Sequence, residues 1–200
     1  MAGVSENFPL GRRDVVAMLL ADRGDMLVVA GLGACAWDVA AVGDCDLDFP
    51  LWGAMGGAAM IGLGVALAQP GRRVLVITGD GEMLMGLGAL ATIAVQSPSN
   101  LAIAVLDNER YGETGMQATH TAHGADLAAM ARAAGFPVTA LARDRDTLDS
   151  AVGLLRDTPG PVFATIKVRA ETLPLVLPPR DGVVLKDRFR AALLEQRTTP

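Results

Sequence analysis

Two oxygen-bearing side chains stand out because each follows an apolar run. Asp80 sits in Gly79-Asp80-Gly81, one residue (Thr78) after Val74-Leu75-Val76-Ile77, and Asn108 follows Leu101 to Leu106 and Asp107. Short aliphatic runs of this kind read as buried strands, and the small-residue pattern from Met83 to Val95 reads as a helix. Strands of a parallel sheet deliver their carboxyl ends to one crevice, so Asp80 and Asn108 are expected at the same edge. A carboxylate and an amide oxygen are hard ligands suited to Mg²⁺, an ion that keeps water and is often shared with a phosphate. The glycines of the turn let main chain approach a phosphate closely, and the following helix aims unpaired N–H groups at it. The chemistry indicated is a metal-diphosphate site.

Such a site needs a sheet to hold it, and helix and strand patterns alternate along the chain. Arg12 to Arg23 spaces Val15, Val16, Met18, Leu19 and Leu20 as a first helix, and Met26 to Ala30 is a short strand. Ala58 to Ala68, stopped by Pro70-Gly71, is a helix of small residues able to lie close to neighbours on several faces. Residues 109–124 (ERYGETGMQATHTAHG) carry no apolar periodicity and are expected as a long polar loop at the carboxyl edge, where substrate contacts are made. A helix over 125–134, a strand over 138–141, a helix over 146–155 and a strand over 161–168 continue the rhythm. A proline-rich link, Leu173 to Pro179, leads to a tail helix over 184–196 whose stripe of Leu185, Phe189, Leu193 and Leu194 must cover something. The alternation predicts an α/β fold: a doubly wound, mainly parallel sheet with helices on both faces, residues 1–200 forming one domain.

Composition narrows the function classes. A chain with 51% hydrophobic residues, 23 glycines and 4% aromatics packs closely and is neither disordered nor collagen-like. The net charge of −5, scattered along the chain, offers no basic face for nucleic acid. No apolar run approaches the ~20 residues of a membrane span, and the N-terminus lacks a signal-like layout, so a cytoplasmic protein is expected. Cys35 and Cys45 make no CxxC pair; a buried thiol is the expectation, with one short bridge as the alternative. Trp37 and Trp52 read as packing or interface residues.

One competing motif precedes the site. Gly31-Leu32-Gly33-Ala34-Cys35-Ala36 follows a strand and formally matches the dinucleotide fingerprint GxGxxA. A Rossmann unit then needs a second strand ending in an acidic residue about 20 residues on. Gly43 to Asp48 reads instead as an acidic turn with no β-branched run before it, which argues against nucleotide binding there.

Gly79-Asp80-Gly81, the 26 residues Glu82 to Asp107, and Asn108 together resemble the diphosphate-binding motif of thiamine diphosphate enzymes. The resemblance implies Asp80 and Asn108 as Mg²⁺ ligands, with a main-chain carbonyl on Arg110 as the third. It implies Gly79, Asp80, Gly81, Glu82, Met83, Asn108, Tyr111 and Gly112 as cofactor-binding positions, and Gly33 to Cys35 near the cleft. Gly53-Ala54-Met55-Gly56 is similar to the family's G-x-M-G turn. By that match Met55 supports the bent cofactor, and the Gly53 carbonyl and Met55 N–H contact the aminopyrimidine. Glu82 departs from the family's frequent Ser, and a carboxylate beside a diphosphate has to turn away.

Within the family, GxMGGAAMIGLGVALAQP, the run from GDG to THT and the ending DRFRAAL resemble the sulfopyruvate and phosphonopyruvate decarboxylases over essentially the full length. That likeness implies thiamine diphosphate and Mg²⁺ as cofactors and a small anionic 2-oxo acid as substrate, 3-sulfopyruvate first and 3-phosphonopyruvate as the alternative. The activating Glu of the family belongs to a pyrimidine-binding domain, and no Glu here occupies such a position. The resemblance therefore implies a pyrimidine-binding alpha subunit and a hetero-oligomer with at least two of each chain. Catalytic residues within this chain stay open, with His120 and His123 as the loop candidates for proton transfer. Two further readings stand beside this one. A 2-oxo acid:ferredoxin oxidoreductase beta subunit would need cysteine-held clusters that Cys35 and Cys45 alone do not supply. A degenerate domain that only binds partner chains is the non-enzymatic alternative.

Overall fold

The computed structural model describes residues 8–195. In chain order its elements are α1 (Arg12–Leu20), β1 (Leu27–Ala30), α2 (Ala34–Val42), β2 (Asp48–Pro50), α3 (Ala58–Ala68), β3 (Val74–Gly79), α4 (Asp80–Met85) and α5 (Ala89–Gln96). They continue with β4 (Leu101–Asp107), β5 (Arg110–Tyr111), β6 (Gln117–Ala118), α6 (Leu127–Ala134), β7 (Val138–Ala142), α7 (Arg145–Asp157), β8 (Val162–Lys167) and α8 (Gly182–Glu195). Six strands form one parallel sheet in the order β2-β1-β3-β4-β8-β7. The continuous apolar runs of β3 and β4 take its centre, as strands covered on both faces must. One face packs on α1, α2 and α7 through Val16, Leu19, Val39 and Leu148; the other packs on α3, α5, α6 and α8 through Leu63, Ile93, Leu127 and Phe189. The doubly wound expectation is met.

Four local expectations are corrected. The helix expected over 83–95 is two, α4 and α5, broken at Gly86 to Gly88. The break follows from crowding, since a Cβ at Gly86 would run into the carbonyl of Gly56 in the turn before α3. Residues 109–124 are not irregular: β5 and β6 pair as a small antiparallel hairpin, and 3₁₀ turns span Gly112–Thr114 and His120–His123. Two-residue strands leave no periodicity to read. An unforeseen strand, β2, pairs in parallel with β1 and forms the sheet edge. Finally, α8 begins at Gly182, and Leu194 is exposed although Leu185 and Phe189 are buried. Gln196 of the expected tail helix lies outside the described residues, as do residues 1–7 and 197–200 of the expected domain.

The tail helix has a definite task. Phe189 meets Phe49 of β2 with ring centroids 5.3 Å apart, and Arg188 binds the Asp44 carboxylate at 2.7 Å. It therefore covers the short edge strand, the part of a sheet most open to unwanted pairing.

Candidate active site

β1, β3 and β4 are adjacent, and the chain leaves β1 toward β2 before crossing back to β3. This reversal opens a crevice at the carboxyl ends of the strands, where α/β sheets bind ligands. A cleft of about 390 Å³ lies there. It gathers Met55, Gly79, Asp80, Gly81, Glu82, Asn108, Arg110, Tyr111 and Gly112, nine of the positions singled out from sequence. Gly53 is exposed outside the lining, and the Met83 side chain is buried in the core, so any contact from Met83 is through its main chain. His120 and His123 are exposed and line neither this cleft nor the neighbouring cavity.

Asp80 is nearly inaccessible, at 2% exposure. Its Oδ2 accepts hydrogen bonds from the Thr119 hydroxyl at 2.5 Å and the Thr121 hydroxyl at 3.1 Å. Burial, reinforced by the nearby Asp107 charge, pushes its carboxyl up to about 7 against the softening effect of those hydroxyls. Thr119 is thus committed to Asp80 rather than free for substrate. Asn108 is fixed differently: its Oδ1 accepts the Arg110 N–H at 2.9 Å, an Asx turn that sets the amide plane. Lys167, from the end of β8, binds Asp107 at 2.8 Å and Glu109 at 2.7 Å. Burial works to lower the Lys167 pKa, but hydrogen bonds and charges of these two carboxylates outweigh it and raise it.

The Glu82 carboxylate, at the edge of the cleft, is buried and bound by donors of the protein itself. It accepts the Thr78 hydroxyl at 2.8 Å and the Ala58 N–H at 3.4 Å, with further main-chain donors at Gly56 and Leu32. Burial raises its pKa against those bonds. Glu82 so ties the loop after β1 and the turn before α3 to the end of β3. Its Oε2 fills the space a Cβ at Gly31 would need. The fingerprint-like turn at Gly31 therefore has a buried carboxylate packed against it, a charge that disfavours a dinucleotide phosphate there. The strand that sequence reasoning found missing does exist as β2, but Asp48 stands at its start and is held by Arg23 at 2.5 Å.

Several lining residues escaped sequence reading. Arg12 and Arg13 of α1, and Glu171, Leu173 and Leu175 of the C-terminal link, close one side of the cleft. The Arg12 and Arg13 guanidiniums both pair with the buried Asp38. Nothing local marks these residues, since they reach the cleft only through the packing of both ends of the chain on α2. Cys35 also lines it, buried, with a pKa raised by burial and by the charge of Glu82. Cys35 and Cys45 are both free, as the thiol expectation held.

The donor set suits a hard divalent cation and a diphosphate. Asp80 is a buried carboxylate whose negative charge is disfavoured without a nearby cation, Asn108 adds an amide oxygen, and the first turn of α4 carries no side-chain cap on its N–H groups. Fold and cleft together define a thiamine diphosphate-binding domain. The family model for the thiamine pyrophosphate enzyme C-terminal TPP binding domain matches residues 39–166, and the chain belongs to that family.

Within it the chain stands among the decarboxylases. It is 41% identical over 165 residues to the sulfopyruvate decarboxylase subunit beta of Methanothermobacter thermautotrophicus, across 82% of this chain and 85% of that one. It is 38% identical over 177 residues to the phosphonopyruvate decarboxylase of Streptomyces viridochromogenes, across 88% of this chain but only 43% of that protein. A protein of solved structure from Mycobacterium smegmatis, proposed to be a thiamin diphosphate-dependent enzyme, shares the fold, with a TM-score of 0.69 at 21% identity over 82% of this chain and 32% of that one. No helix among the described residues is long and apolar enough to cross a membrane.

Proposed function

We propose that this chain is the diphosphate-binding subunit of a thiamine diphosphate- and Mg²⁺-dependent decarboxylase that converts 3-sulfopyruvate to sulfoacetaldehyde and CO₂. The observation that carries the reading is the meeting of Asp80, Asn108 and the glycine turn in one cleft, in a chain 41% identical to a sulfopyruvate decarboxylase beta subunit. Asp80, Asn108 and the Arg110 carbonyl would hold Mg²⁺. The main chain of Gly79 to Met83, with Tyr111 and Gly112, would hold the diphosphate, and Gly53 and Met55 the aminopyrimidine. Bound thiamine diphosphate supplies the electron sink for loss of CO₂ from a 2-oxo acid.

The chain's own residues orient and shield. Thr119 and Thr121 fix the Asp80 carboxylate, and the Asx turn fixes Asn108, so the oxygens need little reorganisation when a cation enters. Met55, 43% exposed, presents its thioether to the cleft, while Leu32, Trp37 and Leu106 supply apolar wall that excludes water. A sulfonate-bearing substrate brings a second anion, which needs positive charge or oriented donors. Arg110 lines the cleft and would supply the positive charge, whereas the Thr114 hydroxyl donates to Gln117 at 2.8 Å.

The activating Glu comes from a pyrimidine-binding partner subunit in an assembly of at least two of each chain, with residues of this chain acting as one domain. A 3-phosphonopyruvate substrate is the second reading, supported by the 38% identity to a phosphonopyruvate decarboxylase. Mixing experiments test the proposal: the purified chain alone should release no CO₂ from sulfopyruvate, and activity should appear on addition of the pyrimidine-binding subunit. Turnover by the chain alone would refute the divided site.

A further inference from the structure

Lys167 grips the residues on either side of Asn108. Its ammonium meets Asp107 Oδ2 at 2.8 Å and Glu109 Oε1 at 2.7 Å, and all three residues are buried. Lys167 thus draws the side chains of 107 and 109 together at the point where β4 ends, while 108 between them reaches the cleft. The two cavities record this partition. Asp107, Glu109 and Lys167 line a separate polar cavity of about 300 Å³, whereas Asn108 and Arg110 line the cleft.

The backbone of Glu109 adds a second observation. Its φ is 61°, in the left-handed region that is unfavourable for a residue bearing a Cβ. Such a conformation persists where its surroundings over-determine it. Here Lys167 holds the side chain, while the Thr119 N–H at 3.0 Å and the Arg110 guanidinium at 2.9 Å both donate to the Glu109 carbonyl. The twist at 109 brings the Arg110 N–H back onto Asn108 Oδ1, closing the turn that orients the amide.

We propose that Lys167 is a positioning residue for the cation site, clamping Asp107 and Glu109 so that the Asn108 oxygen and the Arg110 main chain face a divalent cation. The inference rests on Asp80, Asn108 and Arg110 being the Mg²⁺ ligands. Residues that orient metal ligands typically change metal affinity by about 10- to 100-fold when removed. The test follows thiamine diphosphate binding to the full chain by calorimetry while Mg²⁺ is varied. In Lys167→Met the Mg²⁺ concentration for half-maximal cofactor binding should rise by about tenfold or more. At saturating Mg²⁺ the cofactor affinity should return to within about threefold of wild type, because the diphosphate and pyrimidine contacts lie elsewhere. A residue that only supports the fold would depress the saturated affinity instead.

Lys167→Met leaves two buried carboxylates without a counter-charge, so Glu109→Ala and Glu109→Gly are measured beside it. Both cut the clamp, but only alanine keeps the unfavourable φ. Glu109→Ala should raise the Mg²⁺ requirement by about tenfold, and Glu109→Gly by clearly less. A wild-type Mg²⁺ requirement in Lys167→Met or Glu109→Ala, or equal shifts in the two Glu109 variants, would overturn the inference. Cofactor binding by the wild-type chain that ignores Mg²⁺ would instead overturn the metal assignment itself.

Discussion

Asp80 and Asp107, from the ends of adjacent strands, share one threonine: the Thr121 hydroxyl lies 3.1 Å from Asp80 Oδ2 and 2.8 Å from Asp107 Oδ1. A single hydroxyl proton serves one acceptor at a time, so two buried carboxylates are held close with less than full compensation. Lys167 answers Asp107, and in the proposed function a cation in the cleft would answer Asp80. This division of charge underlies the first two predictions.

Asp80→Asn should abolish Mg²⁺-dependent cofactor binding while leaving the metal-free fold at least as stable as wild type at neutral pH. An uncompensated buried carboxylate is a cost that the amide removes. Calorimetry with Mg²⁺ and thiamine diphosphate, beside thermal denaturation, checks both halves. Wild-type cofactor affinity in the variant would remove Asp80 from the ligand set.

The metal-free chain should also lose stability as pH rises. Burial pushes the folded Asp80 carboxyl up to about 7, against 3.8 for an ordinary Asp. Between these values the folded state binds a proton that the unfolded state lacks, so stability falls from about pH 4 to pH 7 and then levels off. Mg²⁺ binding requires the ionised carboxylate and strengthens across the same range. Denaturant titrations of metal-free wild type and Asp80→Asn should show this slope in the former and a flatter profile in the latter.

Gly31 and Glu82 should be coupled. A Cβ at Gly31 meets the Glu82 carboxylate, so Gly31→Ala is expected to destabilise the chain by roughly 1–3 kcal/mol, the usual range for overpacking. In a Glu82→Ser background, which shortens that side chain, the penalty should largely disappear. A double-mutant cycle reads the coupling directly, and additive effects would show that Glu82 does not fill this space.

Met55→Ala should leave the free chain's stability within about 0.5 kcal/mol of wild type, because the side chain is 43% exposed. In the assembled enzyme it should slow deuterium exchange at the cofactor's reactive carbon more than it weakens cofactor binding, since the proposed diphosphate anchor is the turn at Asp80. Exchange at the wild-type rate would make Met55 an ordinary wall residue.

Much of this was legible because strand-forming runs end in chemically distinctive residues. Val74 to Ile77 and Leu101 to Leu106 announce themselves by composition, and Asp80 and Asn108 follow within two or three residues. Contacts that span the chain left no such mark. Lys167 lies at the end of an ordinary β-branched strand, and Arg12 and Arg13 open the first helix with nothing local to set them apart. The α4–α5 break was hidden because Gly86 is forced by Gly56, a neighbour only in space. β2 escaped because three residues, one of them proline, carry too little pattern to outweigh the acidic turn before them.

The most direct test of the account is a comparison of kcat/KM for 3-sulfopyruvate, 3-phosphonopyruvate, pyruvate and benzoylformate, using this chain reconstituted with its pyrimidine-binding subunit. The account predicts that sulfopyruvate is preferred, with phosphonopyruvate next, because the second anion finds Arg110 and its neighbouring donors in the cleft. A preference for pyruvate or benzoylformate by more than about tenfold, roughly 1.4 kcal/mol of transition-state discrimination, would contradict it.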